Sequence, residues 1–195
     1  MSGNTDDAAA KLDREASILE AVLRLLSRHG ISGVSMRAVA REANVAVGLV
    51  HYYYVDKSTL IAAALLQVEE QDLAIVAPDQ SLGPEDRVRA ALRRVADAEF
   101  LTTEYLSLRL QLWALAQADP AFADINARAQ KRYRSGLASL IKEARPALSR
   151  AECERRATDI DILQNGMWLT ALLGLGRSSV RRTVVRTEEV ALSDY

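Results

Sequence analysis

The feature that most limits the possible folds is the scarcity of residues that interrupt helices. The 195 residues contain nine glycines and four prolines. The prolines fall at the ends of segments rich in alanine, leucine, arginine and glutamate, which all favour helix. β-branched residues are scattered and do not alternate with polar ones, so the pattern predicts no strand. We therefore expect an all-α protein.

Composition and charge narrow the class of protein further. Hydrophobic residues make up 49% of the chain and charged residues 26%, which supplies a core and argues against a disordered chain. The length of 195 residues allows one or two domains. The net charge of −1 excludes a uniformly basic surface, so any nucleic-acid binding must come from a local patch.

Residues that hold metals or form disulfides are few. Cys153 is the single cysteine, which excludes a disulfide within the chain and a multi-cysteine zinc site. His29 and His51 lie in separate segments, so we predict no metal site and no cofactor. The N-terminal residues lack the pattern of a signal peptide, and the most apolar stretch, 160–176, contains polar residues. We expect a cytoplasmic protein without a membrane span.

Helical periodicity and capping residues predict the order of the helices. Gly30 should end the first helix, Ser35 should cap a short second one, and Asn44 suits the left-handed backbone of a tight turn. Asp56 should cap the fourth helix with its carboxylate. After a loose tail at 1–12, we expect helices at about 14–29, 35–43, 47–54, 56–77, 85–99, 103–117, 120–145, 150–176 and 180–192.

Two short amphipathic helices around a four-residue turn give the layout of a helix-turn-helix. The first presents an apolar face at positions i, i+3, i+4 and i+7, and the second turns two valines inward. An α-helix fits the major groove of DNA, so the outward side of the second helix can reach base edges. The inward residues are Met36, Val39, Ala40 and Ala43 on the first helix, and Val45 and Val50 on the second.

The outward residues have the chemistry of a DNA contact. Gly48 allows the helix start to approach DNA closely, and His51 and Tyr52 can donate hydrogen bonds to phosphates or base edges. Lys57 begins the next helix, where an ammonium group and helix-end amides can hold one phosphate. The candidate DNA-binding residues are Ser35, Met36, Arg37, Val47, Gly48, Leu49, His51, Tyr52, Tyr53 and Lys57.

Residues 14–60 resemble the DNA-binding domain of the TetR family of bacterial transcriptional regulators. The string at 35–54 carries the resemblance, and Lys57 and Leu60 stand in the expected places. The chain departs from the family pattern at Asn44, where glycine is usual, at Ala46, where serine or threonine is usual, and at Tyr54, where phenylalanine is usual. Alanine cannot cap the recognition helix with a side-chain oxygen, which costs about 1 kcal/mol.

The resemblance implies a division of labour along the chain. Residues 1–55 should form the DNA-binding domain, and residues 56–195 should bind a small-molecule effector and form the contact of a homodimer. We place the dimer contact within 150–192 because of its apolar content. The segments around Trp113 and at 165–168 faintly resemble the choline-responsive branch of the family.

A small-molecule site needs polar groups beside large apolar ones. Trp113, Tyr105 and Trp168 are the candidate walls, although ordinary core packing is the more common explanation for any one such residue. The candidate ligand-binding residues are Phe100, Glu104, Tyr105, Leu108, Gln111, Leu112, Trp113, Asn165, Met167 and Trp168.

The hypothesis that follows is a ligand-responsive transcriptional regulator, a repressor released from a palindromic operator by a small molecule. Its partners would be double-stranded DNA, the effector and a second copy of the chain. Three alternatives remain: an activator, a helical ligand-binding or scaffold protein without DNA binding, and an enzyme. No nucleophile with a base is recognisable, and Asp159 and Asp161 lie two apart on a helix, so they diverge.

Overall fold

A computed structural model describes residues 3–77, 79–174 and 176–194, with residues 3–10 described by their backbone alone. The described residues form nine α-helices and no strand, which confirms the predicted all-α class. None of these helices offers a stretch that is apolar over enough length for a membrane span. The helices are α1 (Gly3–His29), α2 (Met36–Glu42), α3 (Val47–Tyr53), α4 (Lys57–Ile75), α5 (Pro84–Arg94), α6 (Thr103–Ala118), α7 (Pro120–Ala144), α8 (Arg150–Leu172) and α9 (Arg177–Leu192).

The helix ends follow from local capping chemistry. The Ser35 hydroxyl accepts a hydrogen bond from the Ala38 amide at 3.1 Å, and the Asp56 carboxylate accepts one from the Thr59 amide at 2.8 Å. Gly30 ends α1 with a φ of 63°, the left-handed conformation that glycine adopts without steric cost. These three predicted ends are confirmed.

Several predicted boundaries differ from the structure, and one of them is the end of the helix predicted at 150–176, which lies at Leu172. The loose tail predicted at 1–12 is wrong from residue 3 onward, because α1 begins at Gly3 and the alanines at 8–10 favour continuation of the helix; residues 1 and 2 lie outside the described part. The helix predicted at 85–99 ends at Arg94, and Asp97 has extended backbone before a 3-10 turn at Ala98–Leu101. The last helix begins at Arg177 rather than at about 180.

The first packing unit comprises residues up to 68 together with residues 107–125. Its core combines the apolar faces of α1 to α4 with the part of α6 and the start of α7 that belong to this unit. Gly30 ends α1, Ser35 caps α2, and α2 packs against α1. The core includes Ile18, Val22, Leu26, Val39, Val50, Leu60, Leu108, Leu115 and Phe122.

The second packing unit comprises residues 69–106 and the chain from 126 onward. Its α9 packs against both α8 and α5. The predicted boundary at residue 55 divides DNA binding from effector binding, whereas the two units here are defined by packing. The boundary therefore stays a prediction. The core of this unit includes Val88, Leu92, Phe100, Leu137, Ile141, Cys153, Ile160, Trp168 and Val184.

Candidate functional site

The helix-turn-helix has the geometry that the sequence predicts. Asn44 adopts a φ of 55° in the turn, and the Val45 amide donates to the Ala40 carbonyl at 2.9 Å. Val39 on α2 and Val50 on α3 are fully buried in the same core. Helix α2 therefore braces α3 and fixes which side of α3 faces outward.

The outward edge of α3 is open. Tyr52 is 72% exposed, Val47 is 41% exposed, and His51 is also exposed. A Cβ added at Gly48 would meet no described atom within 4 Å. Since packing does not explain a glycine here, its small size is available for close approach of another molecule. The edge that the DNA-binding hypothesis requires is therefore accessible.

The ten predicted DNA-binding residues fall into two groups. Six are exposed: Ser35, Arg37, Val47, Gly48, His51 and Tyr52. Four make contacts within the protein: Met36 and Leu49 pack against the core, the Tyr53 hydroxyl donates to the Lys11 carbonyl at 3.3 Å, and the Lys57 ammonium donates to the Ile31 carbonyl at 2.6 Å. Their roles toward DNA stay predictions.

Long-range contacts attach α3 to α1. The buried Tyr54 donates from its hydroxyl to the Glu15 carboxylate at 3.1 Å. Burial and the charge of Glu15 both raise the pKa of the Tyr54 hydroxyl, so this group remains a protonated donor. The Lys11 ammonium lies 5.8 Å from the centre of the Tyr52 ring, within the range of a cation–π contact. Partners about 40 residues apart share no periodic pattern, which is why sequence analysis missed them.

Charged groups also organise this region. Glu42, at the end of α2, accepts a hydrogen bond from the Arg24 guanidinium at 3.0 Å and lies 3.7 Å from that of Arg28. At the start of α4, hydrogen bonds from Thr59 lower the pKa of the Asp56 carboxyl. The ionised Asp56 therefore keeps its cap at neutral pH, and the cap fixes the backbone that carries Lys57.

The predicted effector residues are divided between the two packing units. Leu108, Gln111, Leu112 and Trp113 belong to the first unit, and Phe100, Glu104, Tyr105, Asn165, Met167 and Trp168 belong to the second. The convergence of Trp113 with Tyr105 and Trp168 stays a prediction. Glu104 is exposed, whereas Leu108 is buried in the core of the first unit.

Three aromatic side chains of the second unit do meet. The ring of Tyr105 lies 5.1 Å from that of Phe100 and 5.9 Å from that of Trp168, both edge to face. The Trp168 indole donates to the Val95 carbonyl at 2.9 Å, and the Tyr105 hydroxyl donates to the Asp72 carboxylate at 3.0 Å. The cluster thus combines aromatic surface with an adjacent negative charge.

A buried polar layer between α7 and α8 was missed by sequence analysis. Gln164 is 1% exposed, and its side-chain oxygen accepts from the Tyr133 hydroxyl at 2.7 Å. Its amide nitrogen has no hydrogen-bond partner within the described residues. One turn earlier, Asp161 accepts from Arg134 at 3.1 Å and from the Asn165 amide at 3.0 Å. The available signal was a glutamine in helical register with the core residue Ile160.

Family profiles match both parts of the chain. The profile described as "Bacterial regulatory proteins, tetR family" matches residues 18–64. The profile described as "BetI-type transcriptional repressor, C-terminal" matches residues 84–189, more than half of the chain. The first match contains the whole helix-turn-helix, and the second contains the aromatic cluster and the buried polar layer.

Individual proteins show the same similarity. The HTH-type transcriptional regulator BetI of Burkholderia thailandensis is 29% identical over 167 residues, covering 84% of each chain. The crystal structure of a transcriptional regulator from Pseudomonas aeruginosa PAO1 superposes with a TM-score of 0.78 at 27% identity, covering 91% of this chain and 88% of that one. A regulator from Saccharomonospora viridis, solved in complex with choline, has the same fold, with a TM-score of 0.71 at 19% identity, covering 93% and 97%.

Proposed function

Because the chain belongs to the TetR family of transcriptional regulators, with a C-terminal domain of the BetI-type repressors, we propose that it is a repressor which leaves its operator when a small molecule binds. The observation that carries this proposal is the open edge of α3 on a braced helix-turn-helix. An exposed histidine and tyrosine beside an unobstructed glycine suit a helix that enters a groove.

The repressor binds DNA as a homodimer. Two copies of α3 enter successive major grooves about 34–36 Å apart, so the operator is close to a palindrome. His51 and Tyr52 contact base edges or phosphates. Ser35 and Arg37, at the start of α2, contact the phosphate backbone of the DNA. Lys57 holds one phosphate together with the amides that begin α4.

The dimer contact lies on α8. The apolar side chains of Ile162 and Leu173 are 64% and 77% exposed, and Leu169 is another exposed apolar residue. The three positions follow i, i+7 and i+11, so they form one stripe along α8 that ends at Leu173, the residue that caps the helix, and Gly166 lies between them. Exposed apolar stripes of this kind mark interaction surfaces.

The effector is a quaternary ammonium compound of the choline type. The choline complex of the Saccharomonospora viridis regulator supports this proposal. The cluster of Phe100, Tyr105 and Trp168 supports it too, since aromatic faces attract such cations and the Asp72 carboxylate adds a negative charge beside them. Gln164, with its unpaired buried nitrogen, is the polar group that orients the ligand.

Release follows from linkage between the two sites. Choline binds more tightly to the state in which the two copies of α3 have the wrong spacing, and a difference of about 1–3 kcal/mol shifts the population accordingly. Helix α4 is the lever, because it begins at Lys57 beside the DNA-binding edge and supplies residues to both packing units.

A gel shift with the DNA upstream of its own gene tests the proposal. His51→Ala and Tyr52→Ala should each weaken binding by about ten-fold or more, since one good base contact contributes roughly 1–3 kcal/mol. Arg150→Ala, at an exposed position of α8, is the matched control and should bind as the wild type does. Unchanged affinity in both α3 variants, with normal circular dichroism, would refute the assigned interface.

The effector part has its own measurement. Choline at about 100 times its dissociation constant should stabilise the protein by roughly 2.7 kcal/mol and release the operator. The double variant Gln164→Leu with Tyr133→Phe replaces a hydrogen-bonded pair by apolar groups and should fold normally. It should bind the operator yet respond more weakly to choline; a full response would remove Gln164 from the effector site.

A further inference from the structure

A groove in the second packing unit is lined by none of the three rings of the aromatic cluster. It has a volume of about 770 Å³ and is bordered by the 3-10 turn at Ala98–Leu101 and by α9. Ligand sites for small organic molecules span roughly 300–1,000 Å³, so the groove has a suitable size. Its apolar lining includes Ala96, Leu101, Ala171, Val180 and Val184.

The charge of the groove is unbalanced. Its lining contains three arginines and one acidic residue, Glu188. Glu188 is already bound by Arg93, whose guanidinium lies 2.7 Å from the carboxylate. Arg177 and Arg181 stand one turn apart on α9, both exposed, and within the described residues neither has an acidic partner. Two positive charges therefore border an apolar surface without compensation.

We propose that this groove binds an organic anion with an apolar body, a medium-chain carboxylate. The carboxylate lies between Arg177 and Arg181, because the planar guanidinium matches a carboxylate with two parallel hydrogen bonds. The hydrocarbon chain lies along Val180 and Val184. The site takes the opposite charge to the proposed choline site, so the chain carries two separate ligand sites.

Isothermal titration calorimetry of the full chain with sodium octanoate tests the site. The double variant Arg177→Gln with Arg181→Gln should weaken octanoate binding by about ten-fold, as expected for the loss of two solvent-exposed charge contacts. The matched control is Arg150→Gln with Arg155→Gln, which removes the same charge from exposed positions on α8 outside the groove. This control should bind octanoate as the wild type does.

Two further measurements separate the contribution of the two arginines from that of the apolar lining of the groove. Octyltrimethylammonium, which has a similar chain and a positive head, should not compete with octanoate for the groove. Octanol serves as the uncharged probe with the same hydrocarbon chain. Ala98→Phe fills the groove from an exposed position and should weaken the binding of octanol and of octanoate alike. The double arginine variant should weaken only octanoate.

Several outcomes would overturn the inference. They are the absence of octanoate binding up to millimolar concentrations, equal binding by the double arginine variant, and competition by octyltrimethylammonium. A change in molecular mass of the double arginine variant would assign the face to a protein contact instead. Operator release by choline should be intact in that variant, so a failure of the proposed effector is distinguishable from a failure of the groove.

Discussion

Asn44 sets the path of the chain between α2 and α3. Its φ of 55° is a conformation that asparagine and glycine tolerate and β-branched residues do not. We expect Asn44→Val to lower the free energy of unfolding by about 1–2 kcal/mol and to weaken operator binding. Asn44→Gly is the control and should be neutral or slightly stabilising. Urea unfolding measures both, and equal stability of the two variants would show that the turn has relaxed.

Lys57 offers a test of phosphate binding. Lys57→Ala should weaken binding to all DNA sequences similarly and lower the slope of log K against log salt by about one. The substitution also removes the hydrogen bond to the Ile31 carbonyl, so circular dichroism must first show an intact fold. A loss that depends on operator sequence would instead assign Lys57 to base recognition.

At single positions, the sequence predicts those features that depend on residues close by in the chain. The caps of Ser35 and Asp56 and the backbone of Asn44 involve residues within three positions, and all are confirmed. The Tyr54–Glu15 and Gln164–Tyr133 hydrogen bonds join residues 39 and 31 positions apart. Such pairs follow from how helices pack, which no local spacing encodes.

The recognition helix lacks a side-chain cap. Ala46 precedes α3 and makes no capping hydrogen bond, whereas Ser35 caps α2. Ala46→Ser should therefore raise the free energy of unfolding by about 0.5–1 kcal/mol. Ser35→Ala should lower it by about the same amount. Thermal denaturation compares the two, and a destabilised Ala46→Ser variant would show that the backbone there cannot accept a cap.

The sequence predicts which segments form helices better than it predicts the residues at which those helices end. The Pro84 start of α5 was evident, while its end at Arg94 was not, because 95–99 contains good helix formers. Phe100 is buried on the following 3-10 turn. The burial of that ring in the core of the second unit is a tertiary contact that helix propensity alone does not indicate.

The dimer proposal is tested on the whole molecule. Ile162→Glu with Leu173→Glu places charges on the apolar stripe of α8, where burial of an unpaired charge is strongly unfavourable. Light scattering should show the mass of a single chain, and operator affinity should fall with it. Leu12→Glu, at a residue of similar exposure (68%) on α1, is the control for oligomeric state. A dimeric double variant would place the contact elsewhere.

The fold class was predictable over the whole chain from helix periodicity, and the regulator family was predictable from the string at 35–54, because both are local features of the sequence. The packing units were not. Residues 107–125 belong with the N-terminal helices, although the 38 residues before them, 69–106, belong to the other unit. Only the three-dimensional arrangement of α6 and α7 shows this grouping.

That grouping has a consequence for protein engineering. Leu108, Leu115 and Phe122 complete the core around α1 to α4, so a fragment that stops at residue 55 or 68 would expose the apolar surface they cover. The helix-turn-helix region therefore cannot be fused to another effector-binding domain at a single position in the sequence. A chimera has to carry a second, distant stretch of the sequence with it, and exchange of specificity is easier by substitutions along α3.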